Sequence, residues 1–120
     1  MNISAEERAL YYGERLAEVI RCKTVSKKDG FEAAEFLKLR EVIKKLFPLM
    51  TEKAELRILG DDAYLYKIKG RDESRNVMVM SHHDVVDATG DWQEEPFAGV
   101  IRDGKLWGRG TVDTKTPLFA

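Results

Sequence analysis

The spacing of apolar residues predicts a helix at the start of the chain. Ser4 and Glu7 form the S-x-x-E pattern of a capping box, which places a helix start at Ser4. Apolar residues then recur at helical spacing, with charged residues between them, at Leu10, Leu16, Val19 and Ile20. We expect this helix to end near Arg21 or Lys23.

A second amphipathic helix is predicted between residues 29 and 47. Asp29 followed by Glu32 repeats the capping pattern and predicts the start of this helix. Its apolar stripe consists of Phe36, Leu39, Ile43, Leu46 and Phe47. Pro48 follows the stripe directly, and we expect it to end the helix.

After Ala54 the apolar period changes from helical to alternating. Residues 55–60 and 63–70 alternate apolar and polar side chains around the turn "GDD", which predicts a β-hairpin with one solvated face. The sequence "VMVM" at residues 77–80 is instead continuously apolar and has polar neighbours on both sides. Such a run is typical of a strand that is buried on both faces in the middle of an α/β sheet.

The last part of the chain predicts another hairpin and the first turn of another helix. Residues 97–110 favour a hairpin that turns at Asp103-Gly104. Thr116 and Pro117 suit the N-cap and the first position of a helix, and only three residues follow that proline. These elements indicate the α/β class, and we expect the chain to be the front part of a longer protein.

Composition and charge exclude several classes of function. The 120 residues are 43% hydrophobic and 34% charged, and the net charge of -1 gives no basic face for a nucleic acid. No apolar run approaches the roughly 18 residues of a transmembrane helix, and the N-terminus lacks the apolar core of a signal peptide. A soluble, cytoplasmic protein without membrane or nucleic-acid partners is therefore expected. The single cysteine, Cys22, agrees weakly with a reducing compartment and is predicted to be buried or half-buried in a helix.

Candidate metal chemistry lies directly after the apolar run, in "SHHD" at residues 81–84. Because side chains alternate along a strand, His82 and Asp84 should share one side and His83 should take the other. A histidine that binds zinc through one ring nitrogen commonly has its other N–H held by a carboxylate, which suits H-x-D. Taken alone, the same pattern also fits a hydrogen-bonded structural histidine.

The segment "GKLWGRGTVDTK", residues 104–115, provides a second candidate group. The glycines beside Arg109 permit an irregular backbone, and Asp113 follows in a short loop. A carboxylate at such a position could bridge two cations, although a turn or capping role for Asp113 is equally open here. Arg109 and Lys115 could also be ordinary exposed residues.

The order of these motifs resembles that of a known family. "HHDVV" is followed by Trp92 with "PF", and then by G-x-I-x-x-G-x-L-W-G-R-G-x-x-D-x-K. The series is similar to that of dinuclear zinc exopeptidases and amidohydrolases, which include aminoacylases, acetylornithine deacetylase, succinyl-diaminopimelate desuccinylase, glutamate carboxypeptidases and bacterial dipeptidases. The resemblance covers roughly residues 75–117, and the helix, "TVS" (residues 24–26), helix and hairpin before it also resemble that family.

This resemblance implies a fold and roles for three residues. The fold would be the incomplete front half of a zinc-peptidase catalytic domain, with helices packed on a mixed sheet. His82 would ligate one zinc, Asp84 would be the catalytic-site aspartate that supports it, and Asp113 would bridge both zincs. In the family, the peptide bond after this aspartate, here Asp113–Thr114, is often cis.

The resemblance also implies what residues 1–120 lack. In the family, a glutamate pair, a further acidic residue and a second histidine lie downstream, as do a lid or dimerisation domain and the C-terminal catalytic half. Asp87, Thr114 and Thr116 depart from the usual motif without removing a ligand. We therefore expect an N-terminal fragment, inactive by itself, of a two-zinc hydrolase that cleaves a peptide or N-acyl amide bond.

Two other interpretations remain open. The chain could be a non-catalytic α/β module that self-associates as a homo-oligomer through residues 77–80. A single-zinc structural site formed by His82 and His83 is disfavoured, because adjacent side chains on a strand point in opposite directions.

Overall fold

The first helix forms where the capping box predicts it. The computed structural model describes residues 3–120, and its helix α1 spans Ala5–Ile20. Ser4 Oγ accepts from the backbone N–H of Glu7 at 3.1 Å, and Glu7 Oε2 accepts from the backbone N–H of Ser4 at 2.8 Å. Arg21 is the C-cap, so the predicted start and end are both confirmed.

The second helix begins later than its predicted cap. Helix α2 spans Ala33–Leu46 after an N-cap, Glu32, that makes no side-chain capping bond. Asp29 lies instead in the turn between two short antiparallel strands, β1 (Ser26–Lys27) and β2 (Gly30–Phe31). The capping prediction for Asp29 is wrong because the chain reverses direction there before it enters the helix.

Pro48 lies between the end of one helix and the start of the next. It follows the end of α2, as predicted, and it occupies the first turn of a short helix that the sequence did not reveal, α3 (Pro48–Lys53). Proline suits that position because the first N–H groups of a helix have no intrahelical acceptor.

The core lies where α1 and α2 pack together. Its buried members are Val19, Cys22, Leu39, Ile43 and Leu46. Cys22 is a fully buried free thiol just beyond α1, so its predicted burial is confirmed although it does not lie in the helix.

Both predicted hairpins form, and each turns where the sequence predicts. Strands β3 (Glu55–Leu59) and β4 (Ala63–Lys67) are antiparallel, and burial alternates along β4 only, since β3 is exposed throughout. Strands β5 (Val100–Arg102) and β6 (Lys105–Trp107) are joined by Asp103-Gly104, with φ of 52° and 69°. Two successive positive φ values are what a tight hairpin turn of this hand requires.

The last helix starts before the predicted N-cap. Helix α4 spans Lys115–Phe119, and its N-cap is Thr114 rather than Thr116. Pro117 is therefore the third residue of the helix, where its missing N–H breaks no helical bond. The N–H of Leu118 closes the first turn by donating to Thr114 O at 3.2 Å.

The α/β class is confirmed, but the predicted buried strand is not formed. Val77, Met78, Val79 and Met80 are 92%, 74%, 91% and 81% exposed, and no strand is assigned to them. Within residues 3–120 the strands form three separate two-stranded antiparallel sheets in place of one mixed sheet. Apolar residues favour burial, but no described element lies beside this segment to cover it or to pair with it.

One parallel bridge joins the N-terminal half to the histidine segment. Val25 pairs with Val85, through bonds from Ser26 N to Val85 O (3.1 Å) and from Val85 N to Thr24 O (2.9 Å). The bridge fixes the chain directly after Asp84. Among the described residues, no helix is both long and apolar enough to cross a membrane.

Candidate metal site

The two candidate motifs meet at the imidazole of His82. Its Nδ1 lies 3.1 Å from Asp84 Oδ1 and 3.0 Å from the carbonyl oxygen of Asp84. Its Nε2 lies 2.9 Å from Asp113 Oδ1, across 31 residues of sequence. The structure thus brings together the three residues that the sequence singled out.

The charges around His82 change its protonation behaviour. Partial burial lowers the pKa of His82, but the hydrogen bonds with Asp113 and Asp84 outweigh that effect and raise the pKa above its ordinary value. In the absence of a metal ion, each ring nitrogen faces a carboxylate, and the charged imidazolium is the form that can donate to both.

Asp84 is itself held in place by the N-terminal half. Ser26 Oγ donates to Asp84 Oδ2, and this hydrogen bond is the main reason that the pKa of Asp84 is lowered. Thr24 Oγ1 donates to the carbonyl oxygen of His83 at 2.6 Å. "TVS" entered the sequence analysis only as part of the resemblance, whereas its two hydroxyl groups bind the backbone of His83 and the carboxylate of Asp84.

His83 points away from His82 into a polar and aromatic cluster. Its side chain is 16% exposed, and its Nε2 lies 3.4 Å from Asp62 Oδ2. The rings of Phe36 and Tyr64 lie 5.4 and 4.7 Å from the imidazole. Burial lowers the pKa of His83, so its neutral form is favoured and its contacts are those of a structural residue.

Asp62 connects this cluster to the β3–β4 hairpin. Arg40 Nη2 donates to Asp62 Oδ1 at 2.8 Å, and the Tyr64 hydroxyl donates to Asp62 Oδ2 at 2.9 Å. The carboxylate at the hairpin turn therefore joins α2, the hairpin and His83. No sequence pattern predicted this role for Asp62, because its partners come from three separate elements.

Arg109, shortly before Asp113 in the chain, contacts an aromatic ring and a backbone carbonyl group. The guanidinium of Arg109 lies 4.8 Å from the centre of the Trp92 ring, and its Nη2 donates to Asp87 O at 3.1 Å. Arg109 is therefore stacked rather than free on the surface. The peptide bond between Asp113 and Thr114 is cis, as the resemblance implies.

Lys115 is not the exposed residue that its type suggests. Its side chain is fully buried, and its Nζ donates to the carbonyl oxygens of Val19 at 3.1 Å and of Cys22 at 2.5 Å. Burial lowers the pKa of Lys115 to about 8. No sequence pattern indicated that these two carbonyls would be its partners.

The donor atoms at His82 fit part of a zinc site. Asp84 and Asp113 face opposite ring nitrogens and do not converge, and in the described part of the chain no three His, Cys, Asp or Glu residues are grouped to hold a metal ion. Two ligands of one tetrahedral zinc, each about 2.1 Å from the metal, stand roughly 3.4 Å apart. Nε2 of His82 and Oδ1 of Asp113 lie 2.9 Å apart, so a small movement away from each other would let both atoms bind the same ion.

The side chains of His82 and Asp113 are accessible to solvent. The side chains of His82 and Asp113 are 51% and 87% exposed. Imidazole and carboxylate are both common zinc ligands, so the chemistry of this donor set suits the ion and further ligands have room to approach.

Comparison with known proteins agrees with the motif order. Residues 78–120 match the model of Peptidase family M20/M25/M40. The chain is 37% identical over 114 residues to a probable carboxypeptidase S-like 2 of Dictyostelium discoideum, with 89% of this chain and 22% of that protein covered. It is 33% identical over 121 residues to the N-fatty-acyl-amino acid synthase/hydrolase PM20D1 of Bos taurus, with 97% and 24% covered.

A third relative is similar over a shorter segment. The succinyl-diaminopimelate desuccinylase of Ehrlichia ruminantium is 43% identical over 68 residues, which cover 51% of this chain and 18% of that protein. The chain thus spans less than a quarter of the length of these curated relatives. No solved structure matches it significantly. The matched motif segment and these relatives support the resemblance, and they indicate a fragment similar to Peptidase family M20/M25/M40.

Proposed function

We propose that the chain is the N-terminal part of the catalytic domain of a zinc-dependent hydrolase that cleaves a peptide or N-acyl amide bond. The observation that carries this proposal is the contact of His82 Nε2 with Asp113 Oδ1 at 2.9 Å, which joins two distant motifs at one point. The names of the relatives, a carboxypeptidase, an N-fatty-acyl-amino acid hydrolase and a desuccinylase, support this class of substrate.

Each residue of the site has a separate task in this proposal. His82 Nε2 and one oxygen of Asp113 would hold one zinc ion, and the other oxygen of Asp113 would be free for a second. Asp84 accepts from Nδ1 of His82, which orients the ring and leaves the lone pair of Nε2 for a metal. Bound zinc supplies Lewis acidity toward the scissile carbonyl.

The remaining parts of the reaction are assigned to the rest of the protein. Among the described residues, Asp84 and Asp113 are the side-chain partners of His82, and neither is the glutamate that the family uses as a general base. We propose that this base, the other ligands, the lid or dimerisation domain and the C-terminal catalytic half lie after Ala120. The 120 residues alone should then bind zinc weakly and catalyse no turnover. A cytoplasmic location stays a prediction.

The protein encoded by the complete reading frame tests this proposal. We expect a glutamate pair and a further histidine beyond Ala120, about two zinc ions per chain, and hydrolysis of N-acyl amino acids or dipeptides that a chelator abolishes. The 120-residue chain is the control, and it should show no hydrolysis under the same conditions. A complete protein that lacks these residues, or that hydrolyses no such substrate when loaded with zinc, would overturn the enzymatic proposal.

The exposed apolar segment favours a second candidate, a self-associating module. Residues 77–80 expose four apolar side chains, and an uncovered apolar segment with a free backbone can pair with a second copy. Sedimentation velocity of the chain should then show concentration-dependent dimers that Val79→Lys disperses. A monomer at all concentrations would eliminate this candidate and would leave the hydrolase proposal untouched.

A further inference from the structure

Lys115 has the largest fully buried side chain among the described residues. A buried ammonium group is unfavourable unless its N–H groups find acceptors. Here the acceptors are two backbone carbonyl oxygens, Val19 O at 3.1 Å and Cys22 O at 2.5 Å. Both belong to the end of α1 or to the residues just after it.

These carbonyls are a site that attracts a cation. The helix dipole places partial negative charge at the last carbonyl groups of a helix. Val19 O and Cys22 O each accept one backbone N–H, from Cys22 at 3.2 Å and from Thr24 at 2.9 Å, and Lys115 Nζ is a second donor to each. Helix α1 has no basic residue in its own last turn. Lys115 therefore supplies a buried cation to this helix end from 93 and 96 residues away in sequence, in addition to Lys38, whose Nζ donates to Arg21 O at 3.0 Å.

Lys115 also contacts the loop that contains Asp113, through its backbone N–H and through its aliphatic stem. The backbone N–H of Lys115 donates to Gly110 O at 2.9 Å, which closes the loop that contains Asp113. A Cβ atom at Gly110 would lie 3.1 Å from Lys115 Cδ and 2.9 Å from Val85 Cγ1. The loop is thus packed on the aliphatic stem of Lys115, beside the residue that follows Asp84.

We propose that Lys115 is a positioning residue, which holds Asp113 Oδ1 against His82 Nε2 by fastening the Asp113 loop to the carboxyl end of α1. The expected effect of Lys115 on zinc affinity rests on the function proposed above. Its expected effect on the position of the loop does not, because the contacts of Lys115 with α1 and Gly110 involve no metal ion.

The experiment compares two lysines that bind the same helix end. Lys38 Nζ donates to Arg21 O at 3.0 Å, but its side chain is half exposed and its charged partner is Glu35 at 3.6 Å, so Lys38→Met is the matched control for Lys115→Met. Both are made in the 120-residue chain. The readouts are the NOEs that join residues 81–82 to residues 113–114, and zinc affinity by competition with a chromophoric chelator. Leu46→Ala in the core controls for general destabilisation.

We expect Lys115→Met to lose these NOEs and to bind zinc at least tenfold more weakly, while Lys38→Met and Leu46→Ala keep the NOEs and stay within twofold of wild type. Lys115→Gln, which keeps an N–H donor without the charge, should lose less, and it decides the question if the methionine variant does not fold. Persistence of the NOEs in both Lys115 variants would overturn the positioning role. If the wild-type chain binds zinc too weakly to measure, as a site with only part of its ligands would, the NOEs alone decide the role of Lys115, and the hydrolase proposal is tested separately in the complete protein.

Discussion

His82→Ala is expected to abolish zinc-dependent hydrolysis in the complete protein and to lower zinc affinity by at least two orders of magnitude, whereas His83→Ala should only weaken both. The physical reason is that the two adjacent imidazole rings point into different environments. Nε2 of His82 faces Asp113 and solvent, while the ring of His83 lies between Phe36 and Tyr64. Loss of a metal ligand removes a bond to the ion, and loss of a supporting residue typically costs about 10- to 100-fold.

The two variants should separate further when stability is measured. His83→Ala removes a mostly buried ring and leaves Asp62 with one partner fewer, so we expect it to lower the free energy of unfolding by about 2–3 kcal/mol. His82→Ala removes a half-exposed ring and should be the smaller perturbation by urea denaturation. Equal losses of zinc affinity in the two variants, after correction for the folded fraction, would contradict the assignment of His82 as the ligand.

The separation of the two histidines was predictable because it depends only on local geometry. Extended backbone sends adjacent side chains to opposite sides whatever the surrounding fold, and this holds at His82 and His83 although residues 77–80 do not form a strand. The helix start at Ser4 and the turn at Asp103-Gly104 were predictable for the same reason, since their hydrogen bonds join residues close in sequence.

Features that depend on distant partners were not predictable from their own sequence. The carbonyls that bind Lys115 belong to another element, and the acceptor role of Asp62 requires Arg40 and His83 to meet it. The apolar pattern of residues 77–80 expresses a preference for burial, but the element that satisfies it is not among the described residues.

Gly110→Ala is expected to lower the free energy of unfolding by about 2–4 kcal/mol and to weaken zinc binding with it. Gly110 has φ of 94°, where an L-residue is strained, and its added Cβ would meet Val85 Cγ1 at 2.9 Å. Val85 is 3% exposed and β-branched, so it cannot turn aside easily. Relief of the contact requires the loop to move away from Val85 and Lys115, and Asp113 then moves away from His82.

Gly90→Ala separates the effect of backbone strain from the effect of the contact that the added Cβ makes. Gly90 has nearly the same backbone angle, with φ of 86°, but an added Cβ there meets nothing within 4 Å. It should therefore show only the backbone strain, about 1 kcal/mol in urea denaturation, and leave zinc affinity unchanged. Equal destabilisation by the two alanines would mean that the packing of the loop on Val85 and Lys115 contributes nothing to stability. A larger loss of stability at Gly110, together with reduced zinc affinity, would connect that packing to the position of Asp113.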